Sequence, residues 1–441
     1  MKIEVFHRET IQPSSPTPHH LRSFKLCLMD QHAGVMYTSI VLFYPNSNVD
    51  GNVNLAAERS QLLKKTLSET LTHFYPLAGR IRSNLYVECN DEGAEFVEAR
   101  INCSISKILE NPDVERLKEF LPIDIASKEA ETGPLLRVQA TSFECGGMAI
   151  GVSMSHKVSD AASLCTFIKS WSSIALGGSN DLLYLPEFVG ASLIFPPREH
   201  LGNSSESKSG ATFKLVRNKC STRRFVFDAP MIAALQRKAA SESVKKPTRV
   251  EAVSALIWKC AMEASSATKG PTRPSTLMQC VNIRSSVLPA LPESFLGNLI
   301  DFFAVKVEGS GFDKKDNLQE LVALLRKGIQ GFKEEYDKGG EMDEVIAKKL
   351  VGFVKLPRTE GLDNYNFTSL CRFPLYKADF GWGKPRWVSY ASVEIKNVIL
   401  LISTRDETGI EAWLILEEED MALVEKNQEL LAFATLNPSA M

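Results

Sequence analysis

The sequence has few of the features that mark secreted, membrane-bound or metal-binding proteins. Its nine cysteines are scattered over 441 residues without a CxxC pair, so neither a zinc cluster nor a disulfide framework is indicated. No uninterrupted apolar run approaches the roughly 18 residues of a membrane span. The amino-terminal segment also lacks the apolar core of a signal peptide. We therefore expect a cytoplasmic protein that does not bind a membrane.

A strong charge of either sign is also missing. The sequence contains 51 lysines and arginines against 53 aspartates and glutamates, which gives a net charge of −2 at pH 7. No basic stretch with interleaved aromatic residues is present, so nucleic-acid binding is not expected. The sequence has no GxSxG nucleophile elbow, no P-loop and no histidine pair with metal-ligand spacing. No metal site is predicted.

The length of the chain indicates two domains, because a single hydrophobic core seldom serves 441 residues. Residues 177–212 are rich in glycine, proline and serine and show little periodicity, which is typical of a crossover loop between domains. The predicted domains are therefore residues 1–176 and 213–441. Strands and helices are mixed in both.

Local patterns predict several strand pairs. Residues 135–143 and 148–155 are separated by Glu-Cys-Gly-Gly, and residues 84–89 and 94–99 by Asn-Asp-Glu-Gly, so each pair of segments is predicted to form a hairpin. In the last third of the chain, two successive strands are predicted on either side of Lys396-Asn397.

His156 follows a strand whose side chains alternate in character. In residues 148–155, MAIGVSMS, the even positions are apolar and the odd positions are small. Because side chains alternate between the two faces of a strand, His156 continues the apolar face and is accessible from one side. A neutral imidazole at such a place suits a general base. The competing interpretation is a histidine buried for packing, since HxxxD occurs by chance in roughly a third of such chains.

Asp160 lies four residues after His156. Ser159 is a good N-cap, which would place Asp160 in the first turn of a helix over residues 159–175, near exposed backbone amides. His156 and Asp160 would share a face only on a continuous helix. Two interpretations stay open: an acid that orients the imidazole, and an aspartate that only stabilises the structure.

The segment Asp379-Phe380-Gly381-Trp382-Gly383 is more specific. Average composition gives it a chance of occurrence on the order of 10⁻⁴ in a chain of this length. Its glycines permit positive φ and close backbone approach, and its tryptophan requires an apolar environment or a ligand. A packed structural loop and a ligand-contacting loop both fit the pattern. Its first three letters match a kinase magnesium loop, but no HRD segment accompanies them.

Together with two further segments, these motifs resemble the plant BAHD family of acyl-CoA-dependent acyltransferases. The four segments are 156–160 (HKVSD, fitting HxxxD), 379–385 (DFGWGKP), 71–80 (LTHFYPLAGR), and 281–284 with 291–298 (VNIR and LPESFLGN). Their order and spacing agree with the family along essentially the whole chain. The sequence looks closest to the branch of alkaloid and terpenoid acetyltransferases.

The resemblance implies an α/β fold with mixed sheets. Two similar-sized domains related to chloramphenicol acetyltransferase, residues 1–176 and 213–441, would be joined by the crossover loop. A channel would run between them, with His156 at its middle, so that acyl-CoA enters from one side and the acceptor alcohol from the other. Acyl-CoA, with acetyl-CoA as the first choice, would be a co-substrate, and no cofactor or metal would be permanently bound. A monomer is expected.

The resemblance also assigns roles to single residues. His156 would be the general base, and Asp160 would pair with Arg284 away from the channel. The other implied roles are a loop shaped by Asp379, Gly381 and Gly383, a channel-lining or oxyanion-donating Trp382, and CoA contacts at Lys246, Thr248 and Ser285. A lysine that binds the 3′-phosphate of CoA is physically sensible.

Three alternatives accompany this hypothesis. His156 would serve equally in an N-acyltransferase of polyamines or aryl amines. A non-catalytic binding protein of the same fold is disfavoured by the intact His156, Asp160 and Trp382. A peptide-synthetase condensation domain has paired histidines, whereas Ser155 stands where the first of them would be.

Overall fold

The computed structural model describes residues 2–46, 54–178, 185–188, 190–199, 219–270, 273–287, 289–308, 318–338, 349, 361–391 and 395–441. Most of the predicted crossover loop, residues 177–212, lies outside these ranges. Within them, no helix has the length and apolar character needed to span a bilayer.

The described residues form three sheets, and the first of them has six strands. In spatial order these are β1 (Ile3–Ile11), β6 (Ala94–Ile101), β7 (Leu136–Phe143), β8 (Met148–Ser155), β3 (Tyr37–Tyr44) and β13 (Trp387–Ser389). Strands β6 and β7 are parallel, and the other neighbours are antiparallel. The sheet is therefore mixed, as predicted.

The second sheet has seven strands, all from beyond residue 219. Their spatial order is β11 (Ile300–Val307), β10 (Ser275–Asn282), β12 (Asp363–Ser369), β14 (Val398–Ser403), β15 (Ile410–Glu417), β9 (Cys220–Phe227) and β16 (Thr435–Leu436). The small third sheet contains β2 (Ser23–Lys25), β5 (Tyr86–Glu88) and β4 (Arg80–Arg82).

Helices flank the sheets. The α-helices are α1 (Leu28–His32), α2 (Leu55–His73), α3 (Ile105–Glu110), α4 (Glu129–Thr132), α5 (Ala161–Ala175), α6 (Ala191–Ile194), α7 (Ala229–Ala239), α8 (Arg249–Lys269), α9 (Leu318–Asp337), α10 (Glu418–Val424) and α11 (Gln428–Leu431). Short 3₁₀ helices cover His19–Leu21, Tyr75–Ala78, Val114–Phe120 and Leu375–Lys377.

Each large sheet has its own core, and a third apolar cluster joins the sheets. Helices α2 and α5 pack on the first sheet, whereas α7, α8 and α9 pack on the second. Between the sheets, Phe43 and Trp387 of the first meet Trp413 of the second, and the two indole rings stack with centroids 6.0 Å apart. The end of β8 lies close to the loop that joins β10 to β11, because Asn298 of this loop bonds the carbonyl of His156.

One predicted hairpin is wrong, because its two segments join different sheets. Residues 84–89 and 94–99 do not form a hairpin, since β5 pairs in the third sheet and β6 in the first. The two strands predicted on either side of Lys396-Asn397 are present as β13 and β14, but β13 pairs with β3 of the first sheet, whereas β14 belongs to the second. The predicted boundaries do not anticipate this return of residues 387–389 to the amino-terminal sheet.

The hairpin of β7 and β8 is confirmed, and so is the alternation along β8. Met148, Ile150, Val152 and Met154 contribute to the core beneath α2 and α5. The opposite face requires small residues, because a Cβ atom at Gly151 would overlap the backbone oxygen of Phe120. Period-2 alternation therefore fixes the orientation of the strand that leads to His156.

Candidate active site

His156 occupies the first position after β8. From Met148 to Asp160, every residue except His156 is buried, and His156 is partly exposed. Its backbone N–H donates to the carbonyl of Met36 at 2.9 Å, and its own carbonyl accepts from Asn298 Nδ2 at 2.7 Å. The main chain of His156 is thus held from both sides while part of its side chain is accessible.

The imidazole has one clearly defined partner. Nδ1 lies 2.9 Å from the carbonyl oxygen of Ser159. Because a carbonyl oxygen can only accept, Nδ1 carries the hydrogen and Nε2 of the neutral ring is the basic nitrogen. Ser159 is fixed in turn, since its hydroxyl donates to the carbonyl of Ser155 at 2.9 Å. The turn from β8 to α5 therefore selects the tautomer of its own histidine.

Asp160, not Ser159, is the N-cap of α5. The helix begins at Ala161, and Asp160 Oδ1 accepts from the backbone N–H of Ser163 at 2.9 Å. The predicted N-cap at Ser159 is therefore one residue early. The local signal was ambiguous because serine and aspartate are comparable N-caps. Here the hydroxyl of Ser159 is bonded within the preceding turn.

Asp160 forms a buried ion pair with Arg284, whereas the imidazole bonds Ser159. Arg284 Nη1 lies 2.8 Å from Oδ2, and Nη2 lies 2.9 Å from Oδ1. Both side chains are at most 3% exposed. Burial by itself raises the pKa of a carboxyl group, but the Arg284 charge and several hydrogen bonds hold the pKa of Asp160 below its ordinary value. The geometry favours the stabilising interpretation of Asp160, because Ser159, not Asp160, orients the ring.

The segment from Asp379 to Gly383 folds into a compact loop. Asp379 Oδ1 accepts from the backbone N–H groups of Gly381 at 2.9 Å and Gly383 at 3.0 Å. The φ angles of these two glycines are 101° and 99°, in a region that other residues seldom occupy. The aspartate and the glycines thus form one structural unit.

Trp382 packs at the far end of the first sheet from His156. Its ring meets Tyr44 edge-on with centroids 6.2 Å apart, and the guanidinium of Arg59 lies 5.1 Å from its centroid. Tyr44 pairs with Met148, whereas Tyr37, seven residues earlier on β3, pairs with Ser155. At about 3.4 Å per residue, these two ends of the strand pair lie roughly 20 Å or more apart. The structure does not bring Trp382 to His156, and an oxyanion there is beyond its reach.

A known protein family matches nearly the whole length of the chain. The model of the Transferase family covers residues 1–431. The chain belongs to this family, the BAHD acyltransferases. It is an acyltransferase.

Curated relatives span the same length. BAHD acyltransferase BIA1 of Arabidopsis thaliana is 38% identical over 99% of this chain and 98% of its own. The limonoid 7-O-acetyltransferase of Citrus sinensis is 36% identical, with 99% of each chain covered. The 17,18-epoxy-17-hydroxycur-19-ene N-malonyltransferase of Strychnos nux-vomica is 34% identical over 99% of this chain and 91% of its own.

Two solved structures show the same two-domain fold. The crystal structure of vinorine synthase superposes with a TM-score of 0.84 at 34% identity and covers all of both chains. TRI101 of F. sporotrichioides, solved in complex with coenzyme A and T-2, gives a TM-score of 0.71 at 16% identity over 94% of this chain and 99% of its own. The latter likeness concerns the fold alone.

The residues expected to contact CoA lie on the second domain. Thr248 is the N-cap of α8, where its Oγ1 accepts from Glu251 N at 3.2 Å and its backbone N–H donates to Glu251 Oε2 at 2.7 Å. Lys246, two residues before it, has an exposed side chain. Ser285 is exposed on the turn directly after Arg284. All three are polar, and Lys246 carries a positive charge, but the hydroxyl of Thr248 already serves the helix cap.

Other features of the described residues do not add to the site. A cavity of about 550 Å³ lies among Arg224, Arg386, Trp387 and Glu411, and none of the predicted site residues lines it. His7, Glu9 and Glu98 are close enough to share a cation at the exposed edge. However, the ammonium group of Lys64 already bonds both carboxylates, at 2.9 and 3.2 Å.

Two residues connected to His156 are not predicted from the sequence alone. Asn298 falls within the segment LPESFLGN without a role of its own, and nothing in the sequence distinguishes Asp30. A single aspartate or asparagine carries no local pattern, and both reach His156 only through tertiary contacts.

Proposed function

We propose that this chain transfers an acyl group, with acetyl as the first choice, from acyl-CoA to a hydroxyl group of a plant specialised metabolite. The observation that carries the proposal is the hydrogen bonding and the exposure of the His156 side chain. Its Nδ1 hydrogen is donated to Ser159, its Nε2 is basic, and its side chain is the accessible one in a buried stretch. The names of the relatives support an alkaloid or terpenoid acceptor.

The reaction needs only one residue to move protons. Nε2 of His156 accepts the proton of the acceptor hydroxyl as its oxygen attacks the thioester carbonyl carbon. The tetrahedral intermediate collapses with cleavage of the C–S bond, and the imidazolium returns the proton to the CoA thiolate. The products are an ester and free CoA. Since both substrates reach the same base, no covalent acyl-enzyme is required.

The binding of CoA is assigned to the second domain in this proposal. Lys246 would bind the 3′-phosphate, with Thr248 and Ser285 near the same face. A channel between the domains would bring the thioester to His156. Trp382 takes no part in the chemistry, and the oxyanion donor is left unassigned.

The test is a product assay on purified protein. A panel of acyl-CoA donors and plant alcohols should give acylated alcohols, detected by mass spectrometry. Replacing His156→Ala should then lower kcat by about 10²- to 10⁴-fold, the usual contribution of a general base. His73→Ala, which removes a partly exposed histidine at the end of α2, is the matched control and should keep the parent rate. A near-normal rate in His156→Ala would refute the mechanism.

Acyl transfer to an amine is the second candidate, because one relative is an N-malonyltransferase. Matched alcohol and amine acceptors on one scaffold separate the two candidates. Higher kcat/KM for the amine would favour N-acylation, and His156 would serve in the same way.

A further inference from the structure

Asp30 is a buried carboxylate that is connected to the candidate base through Asn298, and the proposed reaction makes no direct use of it. It lies in α1 and is 2% exposed. Its Oδ2 accepts from the backbone N–H of Cys27 at 2.9 Å. Its Oδ1 accepts from both the backbone N–H and the side-chain Nδ2 of Asn298, at 2.8 and 2.9 Å. Both carboxylate oxygens are therefore occupied by N–H donors.

Asn298 connects Asp30 to the main chain of His156. Its Nδ2 has two hydrogens, and its two acceptors are Asp30 Oδ1 and the carbonyl oxygen of His156, the latter at 2.7 Å. The opposite orientation of the amide would place oxygen against oxygen twice, so the assignment is unambiguous. The residue is 1% exposed, which leaves the amide no alternative solvent partner.

Lys157 holds the carboxyl end of the same helix. Its buried ammonium donates to the carbonyls of Gln31 at 2.7 Å and Ala33 at 3.3 Å, at the carboxyl end of α1. The two residues that follow β8 thus both hold α1: His156 through Asn298 and Asp30, and Lys157 directly. His156 and Lys157, which are adjacent in the chain, are therefore both connected by hydrogen bonds to α1.

We propose that Asp30 is a positioning residue for His156, which it holds through the side-chain amide of Asn298. This inference rests on the proposed function, in which His156 is the base. A carboxylate is suited to the task because all of its partners are donors. An asparagine at position 30 would have the same shape, but it would have to turn an NH₂ group toward an N–H donor.

The surroundings of Asp30 are consistent with a role beyond general stability. In the part of the chain that the structure describes, no lysine or arginine lies at ion-pair distance from it, unlike Asp160, which Arg284 neutralises. Burial raises the pKa of the Asp30 carboxyl, although four hydrogen-bond interactions with Asn298 and Cys27 oppose the rise. A buried charge without a cation is costly.

The experiment compares Asp30→Asn with a matched control, Asp420→Asn. Asp420 is 1% exposed and bonds Thr268 and Lys269 in the second domain, so its replacement tests the general cost of changing a buried carboxylate. Asp30→Asn should lower kcat by ~10- to 100-fold with both KM values within twofold of the parent, as expected for a displaced catalytic group. Asp420→Asn should leave kcat per folded molecule unchanged.

A second variant keeps the test decisive if Asp30→Asn does not fold. Asn298→Ala retains the backbone bonds of Asp30 and removes only the connection to His156, so it should lower kcat by a similar factor. The double variant Asp30→Asn/Asn298→Ala should lower kcat by about as much as one single variant does, because both changes break the same connection from Asp30 to His156. If either single variant folds and keeps kcat within twofold of the parent, the positioning role is refuted.

The two proposals fail in different ways. If the parent protein acylates no acceptor, or if His156→Ala retains the parent rate, the proposed function fails. If the parent is active and depends on His156 while Asp30→Asn and Asn298→Ala turn over normally, only the role of Asp30 is wrong.

Discussion

Asp160 and Arg284, 124 residues apart in the sequence, meet in a two-point ion pair that is closed to solvent. The guanidinium also donates to the carbonyls of Phe295 and Gly297, both at 3.0 Å through Nη2. Asp160 Oδ2 accepts from the backbone N–H of Leu299 at 3.1 Å. The pair therefore joins the start of α5 to the loop before β11, the loop that also carries Asn298.

Breaking this pair should destabilise the protein more than removing it entirely. Asp160→Ala leaves the buried charge of Arg284 without a partner, and we expect a loss of about 3–5 kcal/mol in the free energy of unfolding. The double variant Asp160→Leu/Arg284→Met leaves no buried charge. Its loss in the free energy of unfolding should therefore be smaller than the loss caused by Asp160→Leu alone or by Arg284→Met alone. Urea unfolding followed by circular dichroism measures all of them. Additive losses in the double variant would contradict the argument.

The pH dependence of stability should show a contribution from Lys157. Burial lowers the pKa of its ammonium to about 8, although the charges of Glu131 and Asp30 oppose this shift. Between about pH 8 and the unfolded value near 10.4, the unfolded chain binds the proton and the folded chain does not. The contribution of Lys157 to stability therefore rises with pH across this window, by at most about 1.4 kcal/mol per pH unit.

Comparison with Lys157→Met isolates this contribution. The variant is expected to be less stable at every pH, because the carbonyls of Gln31 and Ala33 lose their donor. Its unfolding free energy, measured in urea at intervals from pH 7.5 to 10.5, should lack the extra positive slope of the parent. Parallel curves for the two proteins would show that the ammonium titrates normally.

Trp382→Leu should affect stability and not turnover. The change removes the contact with the Arg59 guanidinium and the ring contacts with Tyr44 and Phe380. Together these contacts suggest a loss of about 1–3 kcal/mol. Because the ring lies far from His156, kcat per folded molecule should stay within about threefold of the parent. A large fall in kcat at unchanged stability would restore the oxyanion role.

Gly151→Ala should be strongly destabilising. The added methyl group would overlap the backbone oxygen of Phe120, which cannot move without shifting the 3₁₀ helix at Val114–Phe120. We expect a loss of about 1–3 kcal/mol or more. Gly331→Ala is the control: it lies inside α9 with open space around it and should gain roughly 0.5–1 kcal/mol. Thermal denaturation decides, and equal melting temperatures for both variants would argue against the close contact.

The features predicted correctly from the sequence are those with a local cause. The alternation of residues 148–155 follows from the two faces of a strand, and the Gly-Gly turn before it allows the β7–β8 hairpin. Leu164, Phe167 and Trp171 recur at helical spacing within the predicted helix of residues 159–175, and all three are buried in α5. These patterns are sufficient to place His156 at an accessible strand end.

The missed features depend on contacts between distant segments. Asp160 pairs with Arg284, which lies 124 residues later in the chain. Trp382 packs against Tyr44, at the end of the strand pair that is distant from His156. Asp30 reaches His156 through a residue 268 positions later in the chain. The periodicity of a sequence does not indicate which residues far apart in the chain will be in contact.

Because β13 belongs to the first sheet, this sheet cannot be completed during synthesis until residues 387–389 have been made. Tyr44, the last residue of β3, donates its hydroxyl hydrogen to the carbonyl of Ala378, 334 residues later. At roughly 5–20 residues per second, the ribosome needs about 15–70 s to supply that partner. Until then, the amino-terminal sheet has an open edge and an incomplete core, and it is exposed to pairing with other chains. Nascent chains shorter than about 390 residues should therefore lack the last strand of this sheet and part of its core.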